Sequence, residues 1–256
     1  RSLYEEVKAF KPHVIGCGEN HALYASEALR FFELCKRAAP EAITVAGGGH
    51  FTNLAHRYTS NPNIDIICIG EGEVTFAQIL QEVDSGSKDW SKIDGVAYGI
   101  EGEHSIEMRQ TQPAKLVKNL DDLPIPAYDL MPMHLYGKSR YLFSPGGTTL
   151  HHSRGCTSKC SFCAWWTTMA DRKVDSAGNV TLSPRWRSKS VDRMVEEIEL
   201  LYYKHGKRSY VWVDESWNID PKFNYEFSQR MIQSKMQTKW MTFMRADCIV
   251  RDHEKG

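Results

Sequence analysis

The sequence predicts an α/β protein in two parts: a parallel sheet flanked by helices, then the first strands of a parallel (β/α) barrel. Three observations predict it. Short, continuous apolar runs mark strands buried on both faces. Each such run ends in a glycine-rich loop and gives way to a segment of helical period. A second β/α series begins after a proline-rich break. The 256 residues are enough for one large domain or two modest ones. Thirty-two Lys and Arg balance 32 Asp and Glu, which argues against a basic nucleic-acid-binding domain. No apolar run approaches the roughly 20 residues of a membrane span.

In order, residues 1–10 read as an amphipathic helix, with neither an initiator Met nor a secretory core before it. Residues 13–16 form a strand that ends at Cys17-Gly18-Glu19-Asn20. Residues 25–38 carry Ala28, Phe31, Phe32 and Cys35 at helical spacing. A strand at 42–46 ends in Gly47-Gly48-Gly49-His50, and a helix is expected around 54–58. The strand at 64–69 ends in Gly70-Glu71-Gly72-Glu73, before a helix at 75–83. Residues 95–100 and 105–109 form a β-hairpin. Three prolines among residues 124–132 prevent regular structure there and mark a linker.

The second half opens with strands at 141–144 and 148–153. Residues 164–189 are polar and read as a long loop. Residues 190–205 form an amphipathic helix with Ser190 as N-cap. A strand at 209–213 ends in Asp214-Glu215, a helix spans 220–236 and a strand 239–244, just beyond which the chain stops. Both ends read as cut from a longer chain. The expected division is 1–118 for the first domain, 119–140 for the linker and 141–256 for the second.

Seven cysteines, an odd number and mostly in apolar contexts, point to a reducing compartment, hence a cytoplasmic location. Three of them, Cys156, Cys160 and Cys163, have Cys-x3-Cys-x2-Cys spacing on one loop. Thiolates so placed can converge on an iron–sulfur cluster with one open iron, or on zinc with His151 or His152 as fourth ligand. Plain structural thiols, and a cluster with a fourth ligand elsewhere, complete the alternatives. A non-catalytic zinc or electron-transfer module is the functional counterpart of the closed sites.

With Gly155 before the first cysteine and Phe162 before the last, at the end of the first strand of a β/α series, this motif resembles the signature of radical S-adenosylmethionine enzymes. The resemblance implies a [4Fe-4S] cluster on the three cysteines, S-adenosylmethionine on its open iron, and reductive cleavage to a 5′-deoxyadenosyl radical. It places Phe162 near the adenine. Glu215 and Arg245, at barrel-strand ends, become further S-adenosylmethionine contacts; for Arg245 an ordinary salt bridge to Asp247 or Asp214 is the alternative. Trp165 and Trp166 are pocket wall or core.

The order of glycine loops, hairpin, Leu123-Pro124-Ile125-Pro126-Ala127 and cysteine motif resembles the cobalamin-binding subclass of that family. This implies a Rossmann-like cobalamin-binding domain, in part, before a partial radical S-adenosylmethionine TIM barrel. Gly47, Gly48, Gly49, Gly70, Glu71 and Gly72 are then the cobalamin loops, where absent Cβ atoms let the backbone approach the cofactor. Closing strand–helix turns is the other use of the glycines, and favourable charge at a helix start the other use of Glu71 and Glu73. No Asp-x-His-x-x-Gly motif is present, so no cobalt-ligating histidine is assigned. His21, His50 and His104 read as loop histidines. The implied activity is methyl transfer to an unactivated carbon or phosphorus centre, with a cobalamin-dependent cyclase or ring-rearranging enzyme as the rival. The implied partners are a small-molecule or peptide substrate and an external electron donor such as flavodoxin or ferredoxin, with no nucleic acid and no membrane span.

Overall fold

The computed structural model describes residues 2–137 and 146–254. Helix α1 (Leu3–Phe10) starts at a reciprocal cap: Ser2 accepts from Glu5 N–H while the Glu5 carboxylate accepts from Ser2 N–H. Strand β1 (Val14–Gly18), helix α2 (Ala25–Ala38), strand β2 (Ile43–Gly47), helix α3 (Gly48–Leu54), strand β3 (Ile66–Cys68) and helix α4 (Gly72–Asp84) follow. Strands β4 (Val96–Glu101) and β5 (Ile106–Gln110) make the hairpin. Then come β6 (Gly147–Leu150), β7 (Ser153–Arg154), α5 (Ala164–Thr168), β8 (Asp171–Val174), β9 (Val180–Ser183) and β10 (Arg187–Ser188). The chain closes with α6 (Val191–Glu199), β11 (Ser209–Trp212), α7 (Pro221–Ser234), β12 (Lys239–Met241) and α8 (Ala246–Glu254).

The chain divides into two compact units. The first takes residues up to Leu116 together with Lys159–Pro184; the second takes Val117–Ser158 and the residues from Arg185 onward. In the first, the sheet order is β1-β2-β3-β4-β5. Strands β1 to β3 are parallel, and β4 and β5 are added antiparallel. Alternation along the buried strands serves two cores. Ile43, Val45, Ile66 and Cys68 pack with Ile79 and Trp90 on one face. Ala46, Ile67 and Ile69 pack with Phe32 and Phe51 on the other. At the amino end of the sheet, Asp65 accepts from Thr44 N at 2.7 Å and from Lys36 Nζ at 2.7 Å.

In the second unit, parallel strands in the order β12-β11-β6 pack under α6 and α7. Their core holds Leu150, Trp212, Ile198, Leu201, Met194 and Phe227. This is an open sheet of parallel β/α units, consistent with part of a barrel. The proline-rich segment, expected as a linker, instead packs against this core: its short 3-10 turns bury Leu120, Tyr128 and Met133. Tyr128 Oη donates to Glu197 Oε1 at 2.5 Å and Lys189 Nζ to Glu197 Oε2 at 2.7 Å. All three side chains are buried.

Four local expectations change. The helix expected near 54–58 begins at Gly48, because Asn20 Oδ1 and Glu19 O accept the N–H groups of Gly49 and His50 from another loop. The polar stretch 164–189 is not a loop but α5, the β8–β9 hairpin and β10. Arg172 donates to the last carbonyls of α5, at Thr167 and Thr168, and Asp175 closes the hairpin turn through Ala177 N and Asn179 N. Helix 190–205 is α-helical only to Glu199 and ends in a π turn. After β12 the chain turns helical as α8. The strand expected at 141–144 lies outside the described residues.

Removing the Glu197 carboxylate strands a buried ammonium and a buried phenol. Glu197→Ala is expected to cost about 3–5 kcal/mol and Glu197→Gln clearly less. Urea denaturation of both variants reads the difference; equal midpoints in the two would contradict the buried ion pair.

Candidate functional site

The carboxyl ends of the first unit's strands carry the three glycine loops, where open α/β sheets bind ligands. The loops are tightly tied to the chain itself. Gly48 has φ +84°, and a Cβ there would lie 2.6 Å from the Glu19 carbonyl oxygen. Only glycine fits, and its presence lets the β1 loop cap α3. A Cβ on Gly49 would stand 3.3 Å from Thr168 Oγ1, while Gly47 is ordinary extended backbone. Gly70, with φ +83°, donates to Thr52 Oγ1 at 3.0 Å. A Cβ on Gly72 would meet Cys68 Sγ at 3.8 Å and one on Gly47 would meet Cys68 Cβ at 3.8 Å, both ordinary contact distances. Glu71 is buried at the N-cap of α4.

Within the same unit, the segment that follows Cys160 lies on α3. Asn53 Nδ2 donates to Thr168 Oγ1 at 3.1 Å, and Thr167 Oγ1 donates to Asn53 Oδ1 at 3.1 Å. Between the β1 loop, α3 and α5 is an open cavity of about 740 Å³, lined among others by His21, Gly49, Asn53, Phe162, Cys163 and Trp165. Trp165 stands edge-on to His21 at 5.6 Å, and Trp166 Nε1 donates to the Cys160 carbonyl at 3.0 Å. Phe162 is 91% exposed, a large apolar face left open among the described residues. His50 is a buried residue, its Nε2 2.8 Å from Tyr58 Oη.

In the second unit, β6 leads into the first cysteine, and a latch holds its exit. Asp214 Oδ1, at the end of β11, accepts from His152 N at 3.0 Å, Ser153 N at 2.6 Å and Ser153 Oγ at 2.6 Å, and lies 2.8 Å from His152 Nδ1. Burial alone would raise the Asp214 pKa, but the hydrogen bonds from His152 and Ser153 more than offset it and hold it below the usual carboxylate value. His152 is fully buried among Trp217, Phe223, Trp212 and Trp186. It is therefore committed to this latch, which leaves the zinc alternative with His151, whose pKa burial pulls down to about 4. Beside Asp214, the Glu215 carboxyl is pushed up to about 7 by burial and by Asp214; Gly155 N–H and Arg154 oppose the rise.

Arg245 follows β12 and reaches the same loop. Asn218 Oδ1 accepts from Arg245 N at 2.8 Å and Asn218 Nδ2 donates to Arg245 O at 2.9 Å. The Arg245 guanidinium pairs with Asp247 through Nε at 2.9 Å and a second bond from Nη2. Its remaining nitrogen faces Thr157 Oγ1 at 3.3 Å, Ser158 Oγ, and Cys156 Sγ at 3.9 Å. The salt bridge foreseen as the alternative is thus present, together with a contact to the cysteine loop.

All seven thiols are free. Cys156 and Cys163 are half-buried and Cys160 is exposed, whereas Cys35, Cys68 and Cys248 are buried. Burial pushes the Cys35 and Cys17 thiols up, and Cys68 up to about 12, which makes them poor thiolate ligands. The boundary between units falls after Ser158, inside the motif. Among the described residues no three His, Cys, Asp or Glu side chains are gathered as a metal site. The donor set nevertheless fits an iron–sulfur cluster in kind: three accessible thiols on one loop, with Ser158 N–H and Arg245 directed at the first. The open cavity beside Gly49 likewise leaves room for part of a large cofactor at the first unit's loops.

The Asp214 latch, the Asn218 clamp and the Asn53–Thr168 bond escape a reading of the sequence alone. Their partners lie 62, 27 and 115 residues apart, and no local spacing signals them.

Residues 1–80 match the B12 binding domain family. The chain is 29% identical to an uncharacterised methyltransferase of Pyrococcus horikoshii, over 94% of this chain and 48% of that protein. It is 26% identical to the anaerobic magnesium-protoporphyrin IX monomethyl ester cyclase of Rubrivivax gelatinosus, over 98% of this chain and 42% of that one. The fold resembles the radical S-adenosylmethionine methyltransferase TsrM from Kitasatospora setae, solved with cobalamin and a [4Fe-4S] cluster bound. That match has a TM-score of 0.63 at 15% identity and covers 91% of this chain and 42% of that one. The chain thus spans about half the length, or less, of the relatives it matches. No helix among the described residues is long and apolar enough to cross a membrane. With its match to the B12 binding domain over residues 1–80, its cysteine motif and this fold, the chain is similar to the cobalamin-binding radical S-adenosylmethionine enzymes.

Proposed function

We propose that this chain carries the cofactor-binding part of a cobalamin-dependent radical S-adenosylmethionine methyltransferase. The observation that carries the reading is an order: a B12 binding domain match over residues 1–80, then a Cys-x3-Cys-x2-Cys motif leaving the first strand of a parallel β/α series. In this reading Cys156, Cys160 and Cys163 hold the cluster, and the loops at Gly47 to Gly49 and Gly70 to Gly72 hold cobalamin. Bound there, the cluster with S-adenosylmethionine supplies a one-electron reductive cleavage, and cobalamin supplies the methyl group.

The chain's own residues orient these groups. Asp214 fixes the strand end that delivers Cys156. Glu215, part-buried beside Gly155, offers a carboxylate to the ammonium of S-adenosylmethionine, and Phe162 offers its exposed ring to the adenine. Glu215 carries its proton up to about pH 7, so S-adenosylmethionine should bind more tightly as pH rises from 6 to 8. In Glu215→Gln that dependence should flatten; an unchanged slope in calorimetric titrations would remove Glu215 from the site. The substrate is a small molecule or peptide, and a flavodoxin or ferredoxin in the cytoplasm supplies the electron. A cyclase is the second reading, favoured by the similarity to the Rubrivivax gelatinosus enzyme over 98% of this chain.

Anaerobic reconstitution with iron and sulfide tests the ligands. The chain should bind about four irons, and Cys156→Ala, Cys160→Ala or Cys163→Ala should each lose the intact cluster. Cys35→Ala and Cys68→Ala should load normally at a modest packing cost. One zinc per chain in place of iron would overturn the assignment. At the first unit, Gly72→Leu should weaken cobalamin retention severalfold, read from visible absorbance, and spare the cluster. With a competent substrate, methyl transfer should yield 5′-deoxyadenosine and S-adenosylhomocysteine in step with product. The first without the second, with substrate consumed, would favour the cyclase.

A further inference from the structure

We propose that Arg245 is a positioning residue that sets the charge around Cys156 Sγ and thereby the reduction potential of the cluster held there. The proposal rests on the cluster reading above and assigns Arg245 to the cluster rather than to S-adenosylmethionine. The geometry argues for a built device. Asn218, itself buried, holds both the N–H and the carbonyl of Arg245, which fixes where the side chain starts. Asp247 then takes one edge of the guanidinium in a forked pair, which fixes how the plane turns. Among the described residues the nitrogen left over faces the cysteine loop: Thr157 Oγ1, Ser158 Oγ and Cys156 Sγ.

A fork already occupied by Asp247 has limited capacity for a second carboxylate, so the S-adenosylmethionine contact expected from the sequence is the weaker role for this side chain. A cation and N–H donor at a ligating sulfur has a definite consequence. One electron passed from an external reductant to the cluster increases the negative charge shared by its thiolates. A guanidinium beside one of them stabilises that reduced form more than the oxidised one. Arg245 thus makes the cluster easier to reduce. Lysine would keep a charge, but its single ammonium cannot hold the Asp247 fork and the cysteine loop together.

The test is an EPR-monitored redox titration with dithionite of the iron- and sulfide-reconstituted chain, beside its iron content. Arg245→Gln should load iron like the wild type and shift the reduction equilibrium roughly tenfold toward the oxidised form, about 59 mV lower for a one-electron couple. Arg245→Lys should fall between the two. A loaded Arg245→Gln chain with the wild-type potential overturns the proposal. If Arg245→Gln does not load, Arg245→Lys decides: a potential below wild type supports the proposal, and an equal one overturns it. A wild-type chain that takes up no iron would instead overturn the cluster reading itself.

Discussion

A single buried carboxylate organises the second unit. Asp214 Oδ1 gathers two backbone N–H groups, a hydroxyl and the His152 ring at the point where β6 gives way to the cysteine loop. Almost no water reaches it, so these donors must do what solvent would otherwise do. The strand end is therefore fixed without help from any metal. The loop that carries Cys156 therefore leaves from a fixed point. The aromatic shell of Trp217, Phe223, Trp212 and Trp186 keeps the pair dry and so keeps the latch strong.

The first unit solves a related problem with backbone alone. Its ligand loops are held by Gly48, whose missing Cβ leaves space for the Glu19 carbonyl and lets one loop cap the helix of the next. Gly48 and Gly49 thus have a use within the chain itself. The amide groups of Gly49 and His50 are taken there by Asn20 Oδ1 and the Glu19 carbonyl. At Gly72 and Gly47, by contrast, a Cβ would meet its nearest neighbour at an ordinary contact distance of 3.8 Å, so the fold itself does not demand glycine there.

The parts of the fold legible in the sequence were those driven by burial. Ile43 to Gly47 and Ile66 to Cys68 are apolar because both faces of the sheet are covered, and helices α2, α4 and α7 follow their apolar stripes. The excursion from Ala164 to Ser183 was illegible because little in it is apolar. It is ordered by Arg172 on the end of α5 and by the Asp175 turn, contacts that a polar loop could equally have lacked. The helix start at Gly48 was missed because its caps come from Glu19 and Asn20 on another loop. The three cysteines stood out because their chemistry needs short spacing. The residues that support them did not, since Asp214, Asn218 and Arg245 reach the loop through tertiary contacts.

That asymmetry follows from what each group does. Ligands of one centre on one loop are confined to a few residues, so they leave a pattern in the chain. Groups that tune the centre need only reach it, and a parallel β/α series brings successive strand ends to the same edge of the sheet whatever their separation in sequence. Here β6 delivers the first thiol, the end of β11 the latch and an acid of raised pKa, and the turn after β12 a cation. Among the described residues the full charge directed at Cys156 Sγ is the positive Arg245, itself paired with Asp247. Successive strand ends of the second unit thus bring a buried carboxylate latch and a guanidinium to the loop that carries Cys156, although their places in the sequence give no sign of it.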